Sequence, residues 1–168
     1  YRKPLVIFMS KRLLRFKDSM SDVSQFTEGS GFRTVISDAV ERDDAKVKRI
    51  VLCAGQVYYD LAAGRKERGK EEEVAIVRVE QLYPFPYEVL AAELSRYTNA
   101  TEIMWTQEEP KNQGAWYQIR HRIEAVSTDK QKVLFAGRPA SASPAVGYMS
   151  KHAAQLKALV DDAFNLEA

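Results

Sequence analysis

The densest group of side chains able to do chemistry lies between Trp105 and Trp116, in the order Trp-Thr-Gln-Glu-Glu-Pro-Lys-Asn-Gln-Gly-Ala-Trp. An apolar, strand-like pattern stops there in amides, carboxylates and turn formers, and α/β proteins place ligand and partner contacts at strand ends of that kind. The pair Glu108 and Glu109 suggests acid–base chemistry, yet neighbours on an extended strand point to opposite faces and cannot act together on one bond. Bracing of the following turn, or capping of the next helix, is favoured for them over proton transfer. His121 and His152 are the only histidines, and neither has a Cys, Asp or second His at metal-ligand spacing. His121, between Arg120 and Arg122, reads as solvated; His152, one turn before Leu156, reads as the edge of a packing face. Cys53, the single cysteine, sits in the apolar run Ile50-Val51-Leu52-Cys53 and reads as a small core residue. No Ser-His-Asp order or nucleophile elbow can be assembled. The residues alone offer no catalytic, cofactor-binding or metal site.

One short motif tempts. Gly64 to Glu71, Gly-Arg-Lys-Glu-Arg-Gly-Lys-Glu, matches a phosphate loop except that Glu71 stands where Ser or Thr would ligate magnesium. A phosphate loop precedes its helix, whereas this stretch ends one, where the helix dipole repels anions.

The elements that must position these residues are legible in the apolar pattern. Four short runs, Arg49 to Ala54, Val74 to Val79, Glu102 to Trp105 and Val133 to Ala136, are rich in Val and Ile and bounded by polar or turn residues, as strands covered on both faces are. Helical spacing joins Tyr58, Leu61 and Ala62, with Gly69 placed to end that helix. It also joins Tyr87, Leu90, Ala91, Leu94 and Tyr97 after Pro86, then Trp116, Ile119, Ile123 and Val126, and last Leu156, Leu159, Val160 and Ala163 with Ser150 as the expected cap. Alternation of strand and helix implies right-handed βαβ crossovers and a mainly parallel sheet between helix layers. Phe32 to Ile36 is a weaker strand candidate of unreadable direction, and Ser37 to Lys48 reads as an exposed loop. Leu5 to Met9 is a further strand pattern, close to a chain start without Met, as though cut from a longer polypeptide.

In such a sheet, ligands gather beyond the carboxyl ends of the parallel strands, here Gly55-Gln56, Glu80-Gln81, Gln107-Glu108 and Gly137-Arg138. Arg138 is the one cation there and suits a phosphate or carboxylate, or equally an ion pair with Glu80, Glu108 or Glu109. The stretch from Arg138 to Met149 is too rich in Pro and small residues for regular structure and should lie extended against a surface.

Composition sets outer bounds. Hydrophobic residues make up 45% and charged residues 29%, with 25 Lys plus Arg against 23 Asp plus Glu, an ordinary globular balance. A domain of this size buries roughly 70% of its unfolded surface. The net charge of +2 favours no nucleic acid, no run approaches the ~20 apolar residues of a membrane span, and no signal peptide opens the chain. An intracellular protein with no membrane contact is expected.

Four longer motifs carry a resemblance. Val57-Tyr58-Tyr59-Asp60-Leu61, Val74 through Pro86 (Val-Ala-Ile-Val-Arg-Val-Glu-Gln-Leu-Tyr-Pro-Phe-Pro), Gln107 through Trp116, and Ala136 through Met149 together resemble the C-terminal domain of the E1 component of the 2-oxoglutarate dehydrogenase complex, in its bacterial form. The resemblance implies a three-layer α/β/α, transketolase C-terminal-like domain with a five-stranded mixed, mostly parallel sheet whose edge strand near Phe32 to Ile36 runs antiparallel. Residues 1–16 would be the last strand and exit of a preceding pyrimidine-binding domain, and 17–168 the C-terminal domain.

It further implies an oxidoreductase, in the cytoplasm of a bacterium, that uses thiamine diphosphate and magnesium to decarboxylate 2-oxoglutarate and succinylates a lipoyl arm of E2. The cofactors would be held by upstream domains and none by this chain, which alone would be inactive. Partners implied are the remainder of E1, a second E1 subunit and E2, with acetyl-CoA or AMP as a candidate effector. Ser10, Gln56, Gln107, Glu108, Asn112, Gln113 and Arg138 would form the allosteric or interface rim. The chain departs from the family wording at Met9-Ser10-Lys11-Arg12, where Thr-Pro-Lys-Ser is common, and at Gln56, where Lys is frequent. Outside that resemblance, a stand-alone nucleotide or acyl-CoA binding module, or an interaction domain acting through Tyr58, Tyr59, Trp116 and Tyr148, are the alternatives.

Overall fold

A computed structural model describes residues 2–166 of a chain that divides into two units, Tyr1–Phe32 and Arg33–Ala168. The second carries the sheet. Its strands are β1 (Val35–Ile36), β2 (Arg49–Cys53), β3 (Val74–Val79), β4 (Glu102–Pro110) and β5 (Lys132–Arg138), and its helices α1 (Val57–Glu67), α2 (Tyr87–Ser95), α3 (Trp116–Glu124) and α4 (Met149–Phe164). The strand order is β1-β3-β2-β4-β5. β2 to β5 pair in parallel, and only β1 runs antiparallel, against Arg78 and Val79 of β3. The five-stranded mixed sheet is therefore as expected, edge strand included.

Alternation along the strands divides the core between two faces. Ile50, Leu52, Ala75, Val77, Ile103 and Trp105 pack with Leu90 and Leu94 of α2 and Ile119 and Ile123 of α3. Val51, Cys53, Val74, Ile76 and Met104 pack with Leu61 of α1 and Leu159, Val160 and Ala163 of α4. Three layers result. Burial leaves the Cys53 thiol far above its ordinary pKa, so it is an inert core group.

Local chemistry explains the helix ends. Gly69 takes φ +60°, and the amides of Gly69 and Lys70 return to the carbonyls of Lys66 and Arg65, both at 3.1 Å, which closes α1 in a Schellman turn. Gly64, the start of the phosphate-loop look-alike, lies inside α1, where a Cβ would strike Val160 of α4. The expected Ser150 cap is corrected. Tyr148 takes the extended capping conformation (φ −112°, ψ 131°), which leaves Ser150 inside the first turn, and no side chain caps α4. His152 is exposed rather than packed.

The largest correction concerns Ser37 to Lys48. The side chains of Asp38 and Arg42 are only 3% and 1% exposed, and Val47 is fully buried. Asp38 pairs with Arg42 and with Arg65 of α1, and accepts hydrogen bonds from the amides of Ile76, at 2.6 Å, and Val40, at 3.0 Å. Arg42 and Arg65 in turn donate to the carbonyl of Val74, at 2.6 and 3.0 Å. β1 is too short to cover β3, so these side chains satisfy the outward amide and carbonyl that a longer neighbour would have taken.

The first unit holds three 3-10 turns, Lys11–Arg15, Lys17–Ser19 and Val23–Phe26. Ser19 Oγ donates to the carbonyls of Leu13 and Phe16, and Asp22 caps the third turn through the Ser24 amide at 2.9 Å. Leu5 to Met9, read as a strand, joins no ladder among the described residues, and its side chains are exposed. A short apolar run alone cannot make a strand whose amides have no neighbouring strand to pair with.

Burial pulls the Asp38 pKa upward, but hydrogen bonds and charge from Arg65, with the Ile76 and Val40 amides, outweigh it and hold the carboxyl below its ordinary value. A depressed folded pKa gives stability that is present above about pH 4 and lost as pH falls through the folded value. Urea unfolding should therefore show Asp38→Asn losing about 3–5 kcal/mol at pH 7, since both guanidinium groups stay buried without their counter-ion. The gap between wild type and variant should shrink below about pH 4.

Candidate functional site

The carboxyl ends of β2, β4 and β5 converge as expected, on an irregularity in β4. Gln107 pairs with Gly137, but the next pair is Pro110 with Arg138, so Glu108 and Glu109 bulge from the ladder. Bulges re-aim side chains at the ends of strands. The Glu108 carboxylate accepts from Gln56 Nε2 at 2.8 Å, linking the bulge to the start of α1. Glu109 is exposed, and its carboxylate has no partner among the described residues.

Gln107 is 3% exposed and holds the bulge from within. Its Oε1 accepts from Trp105 Nε1 at 3.0 Å and from the Trp116 amide at 3.1 Å, the first amide of α3. Its Nε2 donates to the carbonyls of Gln113, Pro110 and Glu109, at 2.7, 3.2 and 3.4 Å. One amide thus ties a strand end, a turn and a helix start together. Gly114, at φ +66°, permits the approach, because a Cβ there would lie 2.8 Å from Gln107 Nε2.

Arg138 makes no ion pair among the described residues. Its Nε donates to the Glu108 carbonyl and its Nη2 to that of Pro144 at 2.8 Å, so it clamps the bulge to the segment after β5. The bulge turns carbonyls toward the guanidinium, while the Glu108 carboxylate is occupied by Gln56. Asn112 exchanges two hydrogen bonds of 2.9 Å with the Ser141 backbone, to which Gln113 adds a third at 3.2 Å. The Pro-rich stretch after Arg138 is irregular, as read from sequence, and is tied down at Ser141 and Pro144. Ser10 belongs to the other unit, where its carbonyl accepts from the Leu13 amide at 3.1 Å.

Next to this rim, on the side of α3, lies a cavity of about 450 Å³ lined by Leu82, Tyr83, Trp105, Ile119 and Ala54, with Glu109, Gln118 and Arg122 among its polar walls. Sequence reasoning misses it, since Arg122, beside His121, reads as part of a solvated face. On the other side, Arg78 lies 4.7 Å from the Tyr58 ring centroid and pairs with Glu80 at 2.8 Å. Burial, then the charge of Asp38, raises the Tyr58 hydroxyl above its ordinary pKa. Trp116, proposed as an exposed contact aromatic, is 4% exposed and packs against Phe135. Among the described residues, no three of His, Cys, Asp and Glu converge as a cation would require.

Removing the Gln107 amide would orphan the Trp105 indole N–H, the Trp116 amide and several carbonyls, each at about 1–3 kcal/mol. Gln107→Ala should lose on the order of 3 kcal/mol in urea unfolding, and Gln107→Glu more, since it sets a carboxylate against three carbonyls.

Comparison with known proteins matches residues 20–164 to the family described as 2-oxoglutarate dehydrogenase C-terminal. A 2-oxoglutarate dehydrogenase E1 component of Cupriavidus necator is 56% identical over 164 residues, covering 98% of this chain and 17% of that protein. Proteins of the same name from Haemophilus influenzae and Azotobacter vinelandii are 48% and 49% identical, again over 98% of this chain, and it covers 17% and 18% of them. The chain thus spans less than a fifth of the length of the curated relatives it matches. With the sheet order and the four motifs in place, the chain belongs to the 2-oxoglutarate dehydrogenase C-terminal family.

Proposed function

We propose that this chain is the C-terminal, non-catalytic domain of a bacterial E1 enzyme that decarboxylates 2-oxoglutarate and succinylates the lipoyl group of E2. Its role is to support assembly of the E1 dimer, with the strand-end rim as a surface for regulation or for the rest of E1. Residues 1–16 are assigned to the exit of the preceding pyrimidine-binding domain. The observation that carries this reading is the relationship to E1 components along nearly the whole chain. The chemistry of the rim supports it. Gln107, Asn112 and Arg138 spend their polar atoms on backbone groups and, at Gln107, on the Trp105 indole, which suits a rigid scaffold better than a reacting site.

Thiamine diphosphate, when bound by an E1 enzyme, supplies the carbanion chemistry, with magnesium on its diphosphate. Among the described residues no three of His, Cys, Asp and Glu gather to hold magnesium, and the rim groups Gln107, Asn112 and Arg138 are spent on backbone groups rather than open to a diphosphate. No step through the cofactor is assigned to this chain. A rim site for acetyl-CoA or AMP draws little support, because an incoming phosphate would have to displace the carbonyls already held by Arg138.

The purified 168-residue chain, given thiamine diphosphate, magnesium and 2-oxoglutarate, should release no carbon dioxide. A full-length E1 carrying this sequence should turn over and sediment as a dimer, and should lose both properties when the region equivalent to residues 33–168 is deleted. Turnover by the chain alone, or a deleted enzyme that stays dimeric at full rate, refutes the assignment.

A further inference from the structure

We propose that the cavity beside the rim binds a small zwitterion with a bulky apolar side chain, in chemical class a free aromatic or large aliphatic α-amino acid. Its volume of about 450 Å³ falls within the roughly 300–1,000 Å³ of small-molecule sites, which pair apolar walls with a few placed polar groups. Leu82 and Tyr83 supply the accessible apolar wall over the buried Trp105 and Ile119, and the Trp105 N–H is already satisfied by Gln107, so it offers a ligand no polar contact.

Two groups of opposite charge line the same chamber. The Glu109 carboxylate has no partner among the described residues, its backbone carbonyl alone being held by Gln107. Arg122 is steadied by the Tyr87 hydroxyl at 2.9 Å and the Gln118 carbonyl at 3.2 Å, neither of which neutralises it. A ligand covering the cavity desolvates both charges, and a buried charge without a counter-ion is costly. A hydrocarbon leaves both unanswered, and a phosphate ester meets Arg122 but is repelled by Glu109. An ammonium and a carboxylate on one small molecule answer both. The wall is also preformed, because the Gln107 amide fixes the turn through Gly114 from which α3 starts, and preorganisation reduces the ordering lost on binding. The inference does not rest on the E1 assignment, since its test reads binding to the chain itself.

The experiment titrates the 168-residue chain with L-phenylalanine, 3-phenylpropionate and 2-phenylethylamine, following tryptophan fluorescence and amide chemical shifts near Trp105 and Ile119. L-Phenylalanine should saturate with a dissociation constant near or below about 1 mM, and each analogue, lacking one charge, should bind at least about tenfold more weakly. Glu109→Gln should weaken L-phenylalanine about tenfold without weakening 3-phenylpropionate, and Arg122→Gln should do the converse for 2-phenylethylamine, with unchanged circular dichroism confirming the fold. No saturable change with L-phenylalanine overturns the proposal, as does equal affinity for all three compounds. An E1 polypeptide that is active while this cavity stays inert would leave the functional assignment standing and sink only this inference.

Discussion

A single buried amide organises the end of the sheet. Gln107 receives the indole N–H of Trp105 and the first amide of α3 on one atom, and gives its own hydrogens to carbonyls of the bulge and turn on the other. A carboxylate in its place has no hydrogens to give, and an apolar residue has nothing to offer either side, so the position requires both halves of an amide. The helix start, the aim of Glu108 and Glu109, and the cavity wall are all set from this point. The same atoms are thereby withdrawn from chemistry, which makes Gln107 a positioning residue.

Sequence and structure agree where burial is the only requirement. The runs at β2 and β3 end within a residue of the strands, and the helical stripes of α2, α3 and α4 face the core, because apolar periodicity reports burial directly. They diverge where burial is achieved by polar groups. β4 runs on beyond Trp105 through Thr106 and Gln107, both buried, and the loop after β1 hides Asp38 and Arg42. Hydropathy marks such residues as exposed, and their partners lie far along the chain, Asp38 with Arg65 and the Ile76 amide. The one local clue was Asp38 and Arg42 four residues apart.

The rim shows the same division. Its location followed from topology, since parallel strands bring Gln56, Gln107, Glu108 and Arg138 to one end. Its internal wiring did not, because a bulge decides which oxygens face Arg138, and nothing in Gln-Glu-Glu-Pro announces one. Residue type alone admits Arg138 as an anion ligand or half of an ion pair, and only the structure shows it clamping two carbonyls. Family membership came from whole motifs in order, a signal independent of any one side chain's role.

The ionic seal along β3 bears on how this protein behaves in a crowded solution. Over Val74 to Ile76 the outward rungs are filled by Arg42, Arg65 and Asp38, so a stray strand from another molecule finds no vacant hydrogen-bonding positions there and would first have to evict three interlocked charges. On this side the sheet resists growing by one foreign strand at a time, the first step toward fibrous aggregates, although the edge strand here is only two residues long.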